Sequence, residues 1–192
     1  MNPDPWLDPL LPLVLEQRGT QPVLELGCGG GRDTAILAAA GCFVVGVERS
    51  AAAIDEARAR VPSGEFHCQD IRAPFPAAAR HVGVVVASLS LHYFTWDDTL
   101  TLVARIRQTL RPGGLLLCRL NSINDHHHGA TGHPPIAANY FLVDGEPKRF
   151  FDRVAVEALF ARGWRVWALE EKVVHRYAHP KALWEAVLER AA

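Results

Sequence analysis

The stretch Pro22–Asp33, P-V-L-E-L-G-C-G-G-G-R-D, constrains the fold of this chain more than any other. Val23, Leu24 and Leu26 make a short apolar run, the mark of a strand covered on both faces. Gly27, Gly29, Gly30 and Gly31 then open a turn. Without Cβ atoms such residues accept positive φ and let another group approach the backbone closely. Thr34 to Ala40, T-A-I-L-A-A-A, reads as a helix stopped by Gly41 in the C′ position. Strand, glycine turn and helix open a βαβ unit, so a parallel sheet flanked by helices is expected.

The next apolar run, Cys42 to Val47, closes on Glu48, 17 residues after Gly31. A carboxylate at that place can accept both hydroxyls of a ribose. A dinucleotide fingerprint needs G-x-G-x-x-G/A, but counted from Gly27 and Gly29 its last position is Arg32. The pattern present is E-x-G-x-G-x-G, with Glu25 inside the strand. Glu25 and Glu48 would repel a phosphate and attract a cation.

Composition narrows the class of protein further. With 192 residues, 49% hydrophobic and 21% charged, the chain has enough apolar surface for one globular domain over 1–192. A net charge of −1 and a pI near 6.7 leave no basic surplus, so nucleic acid is not an expected partner. Cys28, Cys42, Cys68 and Cys118 show no CxxC spacing and read as reduced thiols of a cytoplasmic protein. No run approaches 18 apolar residues and no leader pattern opens the sequence, so neither secretion nor membrane insertion is expected.

Read in order, residues 1–21 form a short helix with Asp8 as N-cap, Pro9 at N1 and Gly19 as stop. It serves either as packing or as a partial lid touching through Trp6. Ser50 caps a helix ended by Pro62, and Glu65 to Cys68 is a third strand, followed by Gln69-Asp70-Ile71. Arg72 to Arg80 reads as a crossover loop. His81 to Ala87 is the fourth strand and runs into S-L-S-L-H-Y-F, Ser88 to Phe94. In open α/β sheets ligands bind beyond the carboxyl ends of the strands, where this segment lies. Thr95 or Asp97 caps the next helix. Arg111-Pro112-Gly113-Gly114 breaks it, and Leu115 to Leu120 is strand five. Asn121 to Phe151 is a long loop, dense in aromatic residues and histidines, and loops of that length are usually functional. Asp152 caps a helix, Trp164 to Val174 is strand six, and Ala182 to Glu189 has helix propensity.

These marks together resemble the class I S-adenosylmethionine-dependent methyltransferases. The resemblance rests on the E-x-G-x-G-x-G motif, Asp70-Ile71 after the third strand, the S-L-x-L-H-[YF] run and the string L-R-P-G-G-x-L-L, and covers Val23 to about Leu120. It implies a Rossmann-like α/β fold, a three-layer sandwich with a seven-stranded, mostly parallel sheet. Ala182 to Glu189 would then be its antiparallel last strand. It implies S-adenosylmethionine as cofactor, methyl transfer to a small-molecule acceptor, and S-adenosylhomocysteine as product. It places Gly27, Cys28, Gly29 and Gly31 against the amino-acid part of the cofactor and Glu25 near its ammonium. Glu48, with Arg49 beside it, falls on the ribose, Asp70 and Ile71 on the adenine, and Ser88 near the methionine backbone. Asp70 could otherwise be a turn former. Small families of tellurite and thiol methyltransferases are loosely similar in length. A non-catalytic S-adenosylmethionine-binding module and an NAD(P)-dependent oxidoreductase are the rival readings.

Acceptor chemistry is expected from the long loop and from His92, with His126 and Asp125 as the further candidates. Asn121 and Asn124 are grouped with them. An imidazole near pKa 6.5 can take a proton at neutral pH. A histidine bonded to backbone at the strand end is the other reading of His92. The run His126-His127-His128 with His133 has no carboxylate or cysteine pattern beside it, and no metal site is expected. Lys148, Arg149 and Arg153 read as a solvated basic patch, with binding of an anionic acceptor as the alternative.

Overall fold

The apolar runs become the strands of one sheet in the computed structural model, which describes residues 5–191. β1 (Val23–Leu26), β2 (Val44–Glu48), β3 (Glu65–Cys68), β4 (Val82–Ser88), β5 (Leu110–Asn121), β9 (Trp164–Val174) and β10 (Lys181–Arg190) line up in the order β3-β2-β1-β4-β5-β10-β9. The pairs among β1 to β5 are parallel, whereas β10 is antiparallel to both β5 and β9. The seven-stranded α/β sheet with an antiparallel last strand is therefore the one expected. Residues 182–189 are strand despite their helix propensity, because pairing on both sides overrides it.

Alternate side chains of the central strands enter opposite cores. On β4, Val84 and Val86 pack with Val14 of α1 (Leu11–Arg18) and Leu37 of α2 (Arg32–Ala39). Val85 and Ala87 pack instead with Leu102 and Ile106 of α4 (Trp96–Thr109) and Val156 of α5 (Arg153–Leu159). α3 (Ala51–Arg60) covers the outer strands through Ile54 and Ala57 against Phe66. A valine buried on such a strand contributes about 1.5–3 kcal/mol, so the uninterrupted apolar runs secure the centre of the sheet. Caps fix the helix starts: Ser50 Oγ accepts from Ala53 N, Thr95 Oγ1 from Asp98 N and Asp152 Oδ1 from Ala155 N.

Two segments differ from the sequence reading. Asp8 caps no α-helix: Asp8–Leu10 is a 3₁₀ turn, and α1 begins at Leu11 without a side-chain cap. The cause is Pro12, which has no N–H to bond the Asp8 carbonyl four residues back. Leu11 N reaches that carbonyl instead, three residues back. The second difference is the stretch Asn121 to Phe151, which is not a bare loop. It holds a 3₁₀ turn at His126–His128 and a three-stranded antiparallel sheet of β6 (Pro135–Ala137), β7 (Tyr140–Val143) and β8 (Glu146–Arg149). Asp144 and Gly145 join β7 to β8 with φ of 53° and 80°, the two positive values of a type I′ hairpin turn. Pro147 fits in β8 because that strand is an edge of its sheet. Within the described residues, no helix is long and apolar enough to cross a membrane.

Candidate functional site

The order of the sheet fixes where a ligand can sit. Chain connections leave β1 toward β2 on one side and reach β4 on the other, so a crevice opens at the carboxyl ends of these strands. Three cavities lie there, of about 450, 410 and 350 Å³, and Leu89 lines all of them. Its φ of 55° is unusual for a leucine; the turn is anchored by Leu89 N donating to the Arg119 carbonyl at 2.9 Å.

The first cavity is bordered by Gly27, Gly29, Glu48, Asp70, Ile71 and Ser90, with Tyr140, Glu146 and Pro147 of the small sheet closing it. Gly27 has φ 72°, and a Cβ there would overlap the Ser90 Cβ, so the strand end can turn only as glycine. Glu48 is held by two backbone donors, Gly29 N at 3.2 Å and Ser50 N at 2.9 Å. Its carboxylate is thereby fixed at the end of β2 and faces the cavity. Arg72 grips Asp70 through Nη2 at 2.7 Å and holds that carboxyl below its usual range. Arg49 pairs with Glu146 across the cavity at 2.8 Å, joining the end of β2 to the small sheet. Four carboxylates, Glu48, Asp70, Asp98 and Glu146, face two guanidiniums, Arg49 and Arg72, which suits a ligand with positive charge.

The second of these regions, of about 350 Å³, adjoins the first through Gly27 and Gly29 and adds Glu25, Cys28, Ser88 and Arg119. Thr34 Oγ1 donates to Glu25 at 2.5 Å, and burial pushes the Glu25 carboxyl up to about 8. Burial first, with Glu25 and Glu48 nearby, also drives the Cys28 thiol upward, so it is a small inert wall. Ser88 Oγ accepts from Arg119 Nε at 2.9 Å, and the Arg119 guanidinium lies 4.4 Å from the Trp6 ring centre. Trp6 Nε1 bonds Asp33 at 3.0 Å, which fastens the N-terminal segment to the start of α2 beside this cavity. Residues 1–4 of the expected N-terminal lid lie outside the described residues. Gly31 lines none of the three cavities; a Cβ on it would press against Ala57, so it serves the packing of α2 on α3.

The third region, of about 410 Å³, shares Tyr93 with the first. His92, Asn121, His133, Lys148 and Lys181 are on its walls. His92 is 3% exposed, its Nδ1 lacks a partner among the described residues, and its ring is 4.3 Å from that of Tyr93. Burial foremost, then the charges of Lys181 and Lys148, push its pKa down to about 3. The expected proton acceptor near 6.5 is thus a neutral imidazole suited to hydrogen bonding. Ser90 Oγ and Asn121 Oδ1 are likewise buried without partners. Buried polar atoms are nearly always satisfied, so such a cluster marks a place for ligand atoms.

Other expected acceptor residues point elsewhere. The Asp125 carboxylate accepts from Lys181 Nζ at 2.6 Å and from Ala182 N at 3.2 Å, fastening the 3₁₀ turn to β10. His126 is exposed and Asn124 donates to Glu171 at 2.7 Å; neither they nor Asp125 line any of these three cavities. The basic patch is divided three ways. Arg149 is buried over Tyr140 and Trp96, Arg153 pairs with Glu157, and Lys148 enters the third cavity. No group of three or more His, Cys, Asp or Glu among the described residues is placed to hold a metal ion. Arg119, Lys181, Tyr140 and Glu146 were not anticipated. An arginine inside the apolar run L-L-L-C-R-L was the available signal for the first; the others come from distant segments.

The family model for a methyltransferase domain matches residues 23–114. An uncharacterized methyltransferase of Synechocystis sp. is 33% identical over 95 residues, 50% of this chain and 44% of that protein. A trans-aconitate 2-methyltransferase of Paracidovorax citrulli is 35% identical over 100 residues, 51% of this chain and 38% of that one. The matched stretch thus spans less than half of either relative. A solved structure of a SAM-dependent methyltransferase from Methanosarcina mazei shares the fold, with TM-score 0.78 at 16% identity, over 94% of this chain and 97% of that one. Ser90 Oγ, the Gly27 cradle and the excess of carboxylates fit S-adenosylmethionine, which carries a sulfonium and an ammonium. Motif spacing, strand order and sequence match converge: residues 23–114 match the family model of a methyltransferase domain, and the sheet has the fold of the S-adenosylmethionine-dependent methyltransferases.

Proposed function

We propose that this chain is an enzyme that transfers a methyl group from S-adenosylmethionine to a small-molecule acceptor. The observation that carries the reading is the meeting of three cavities at Leu89, two rich in carboxylates and glycine backbone and one lined by His92, Asn121 and two lysines. S-adenosylmethionine, when bound, supplies a methyl group already activated on sulfur. Glu48 would hold the ribose hydroxyls, Asp70 and Ile71 the adenine, and Glu25, Gly27, Gly29 and Ser88 the amino-acid end. Arg49 acts on this side as the tie to Glu146 that keeps the cavity closed. Tyr140, Glu146 and Pro147 exclude water from the first cavity. His92 and Asn121 orient the acceptor through their unpartnered atoms, so the chain contributes alignment of reactants above proton transfer. A trans-aconitate 2-methyltransferase among the relatives supports a small-molecule acceptor.

Calorimetry with S-adenosylmethionine and with NAD, followed by a search for S-adenosylhomocysteine across a panel of acceptors, tests the reading. Tight binding of the first alone, with product formed, is the expected result. Binding without product from any acceptor would leave a non-catalytic module, and tight binding of NAD alone would overturn the reading.

A further inference from the structure

We propose that the acceptor is a small anion carrying one or more carboxylates, bound between Lys148, Lys181 and His92. The inference rests on the methyltransferase reading for what the third cavity holds, and adds the charge of the molecule that fits there. Two adjoining cavities that share Leu89 and Tyr93 have opposite linings. The first presents four carboxylates. The third presents two ammonium groups and four histidines, and its one carboxylate, Asp144, is exposed on the β7–β8 turn.

Lys181 is the stronger mark, with a side chain only 10% exposed. Desolvating an ammonium is costly unless its donors are matched. Asp125, which does not line the cavity, takes one of its three N–H groups. Burial, and after it the nearby Lys148 charge, lowers the Lys181 pKa against the pull of Asp125. A neutral acceptor would leave this repulsion standing; an anion between the two ammonium groups relieves it. His92 offers a second recognition point, since a neutral imidazole can turn one N–H toward a carboxylate oxygen. No arginine lines this cavity among the described residues, so an anion there meets ammonium point charges and not a bidentate guanidinium fork. A volume of about 410 Å³ admits a small molecule.

The test is calorimetry on the full chain loaded with S-adenosylhomocysteine, titrated with benzoate, succinate and tricarballylate, with the matching amides, and with inorganic phosphate. At least one carboxylate is expected to bind roughly tenfold or more tightly than its amide and than phosphate. Lys148→Ala should weaken that carboxylate about tenfold, Lys148→Arg should restore most of it, and neither should alter S-adenosylhomocysteine binding. Lys181→Met should do the same as Lys148→Ala; because it leaves Asp125 buried alone, Lys148→Ala decides the matter if that variant does not fold. Amides that bind as well as carboxylates, phosphate that binds better, or no carboxylate binding to loaded protein would each overturn the proposal while leaving the methyltransferase reading intact. Failure of S-adenosylhomocysteine itself to bind would sink the methyltransferase reading, and the same titrations on the unloaded chain would then judge the anion site alone.

Discussion

Glu48 and Glu25 are both acids at the edge of the glycine turn, and their surroundings give them different tasks. Glu48 is half-buried and has its carboxylate aimed by Gly29 N and Ser50 N. Glu48→Ala should weaken S-adenosylmethionine binding by about 1.5–3 kcal/mol, the loss of hydrogen bonds to a charged group, as read by calorimetry. Unchanged affinity would put the ribose elsewhere. Glu25 is 2% exposed and its pKa is raised from 4.5 to about 8, chiefly by burial. The unfolded chain gives up this proton near 4.5 while the folded chain keeps it to about 8. Glu25 therefore stabilises the ligand-free fold most at low pH, and that contribution is lost as pH rises from 4.5 to about 8. Melting curves of Glu25→Gln against the parent chain should differ in slope across that window and run parallel above it. Parallel curves throughout would mean that Glu25 ionises freely in the fold.

Among the elements, the hairpin of β7 and β8 has the largest functional consequence for its size. Tyr140 Oη donates to the Tyr93 carbonyl at 3.1 Å, and the Arg149 guanidinium is 4.7 Å from the Tyr140 ring centre, so the hairpin is seated on the segment after β4. Its turn depends on positive φ at Gly145. Gly145→Val should cost about 1–2 kcal/mol locally, since a β-branched residue is strained there. Amide exchange should speed up over residues 140–149 and stay unchanged in β1 and β4. Uniform acceleration would show instead that the hairpin unfolds with the whole sheet. The D-G pair between Y-F-L-V and E-P-K-R is a hairpin signal that the loop reading of this stretch missed. It was obscured because Pro147 and the flanking glycines and histidines also read as loop. Gly27, Glu48 and Asp70 were readable because βα turns concentrate a site into short contiguous strings. Lys181, from the start of β10, was not: register with β5, set by pairing such as Leu183 with Asn121, brings it beside Asn121, and no local pattern records that.

For the whole molecule, the sheet divides the labour between its two halves. The parallel strands β1 to β4 and the turns that follow them carry the glycine turn and the carboxylates of Glu25, Glu48 and Asp70, and their sequence matches that of a methyltransferase domain up to residue 114. The later strands, the small sheet and the segment before it supply Lys148, Lys181, His127, His128 and His133, all beyond that match, whereas His92 lies within it. Successive residues of β8 serve different neighbours: Glu146 and Pro147 wall the first cavity, and Lys148 walls the third. One short ribbon therefore cannot swing aside for one substrate without disturbing the seat of its companion. Catalysis built this way should follow a compulsory order, donor first and acceptor second, with the spent nucleoside leaving last. Initial-rate measurements would display it as S-adenosylhomocysteine competing with S-adenosylmethionine but inhibiting noncompetitively against the acceptor, while a random-order pattern would mean that the ribbon moves piecemeal.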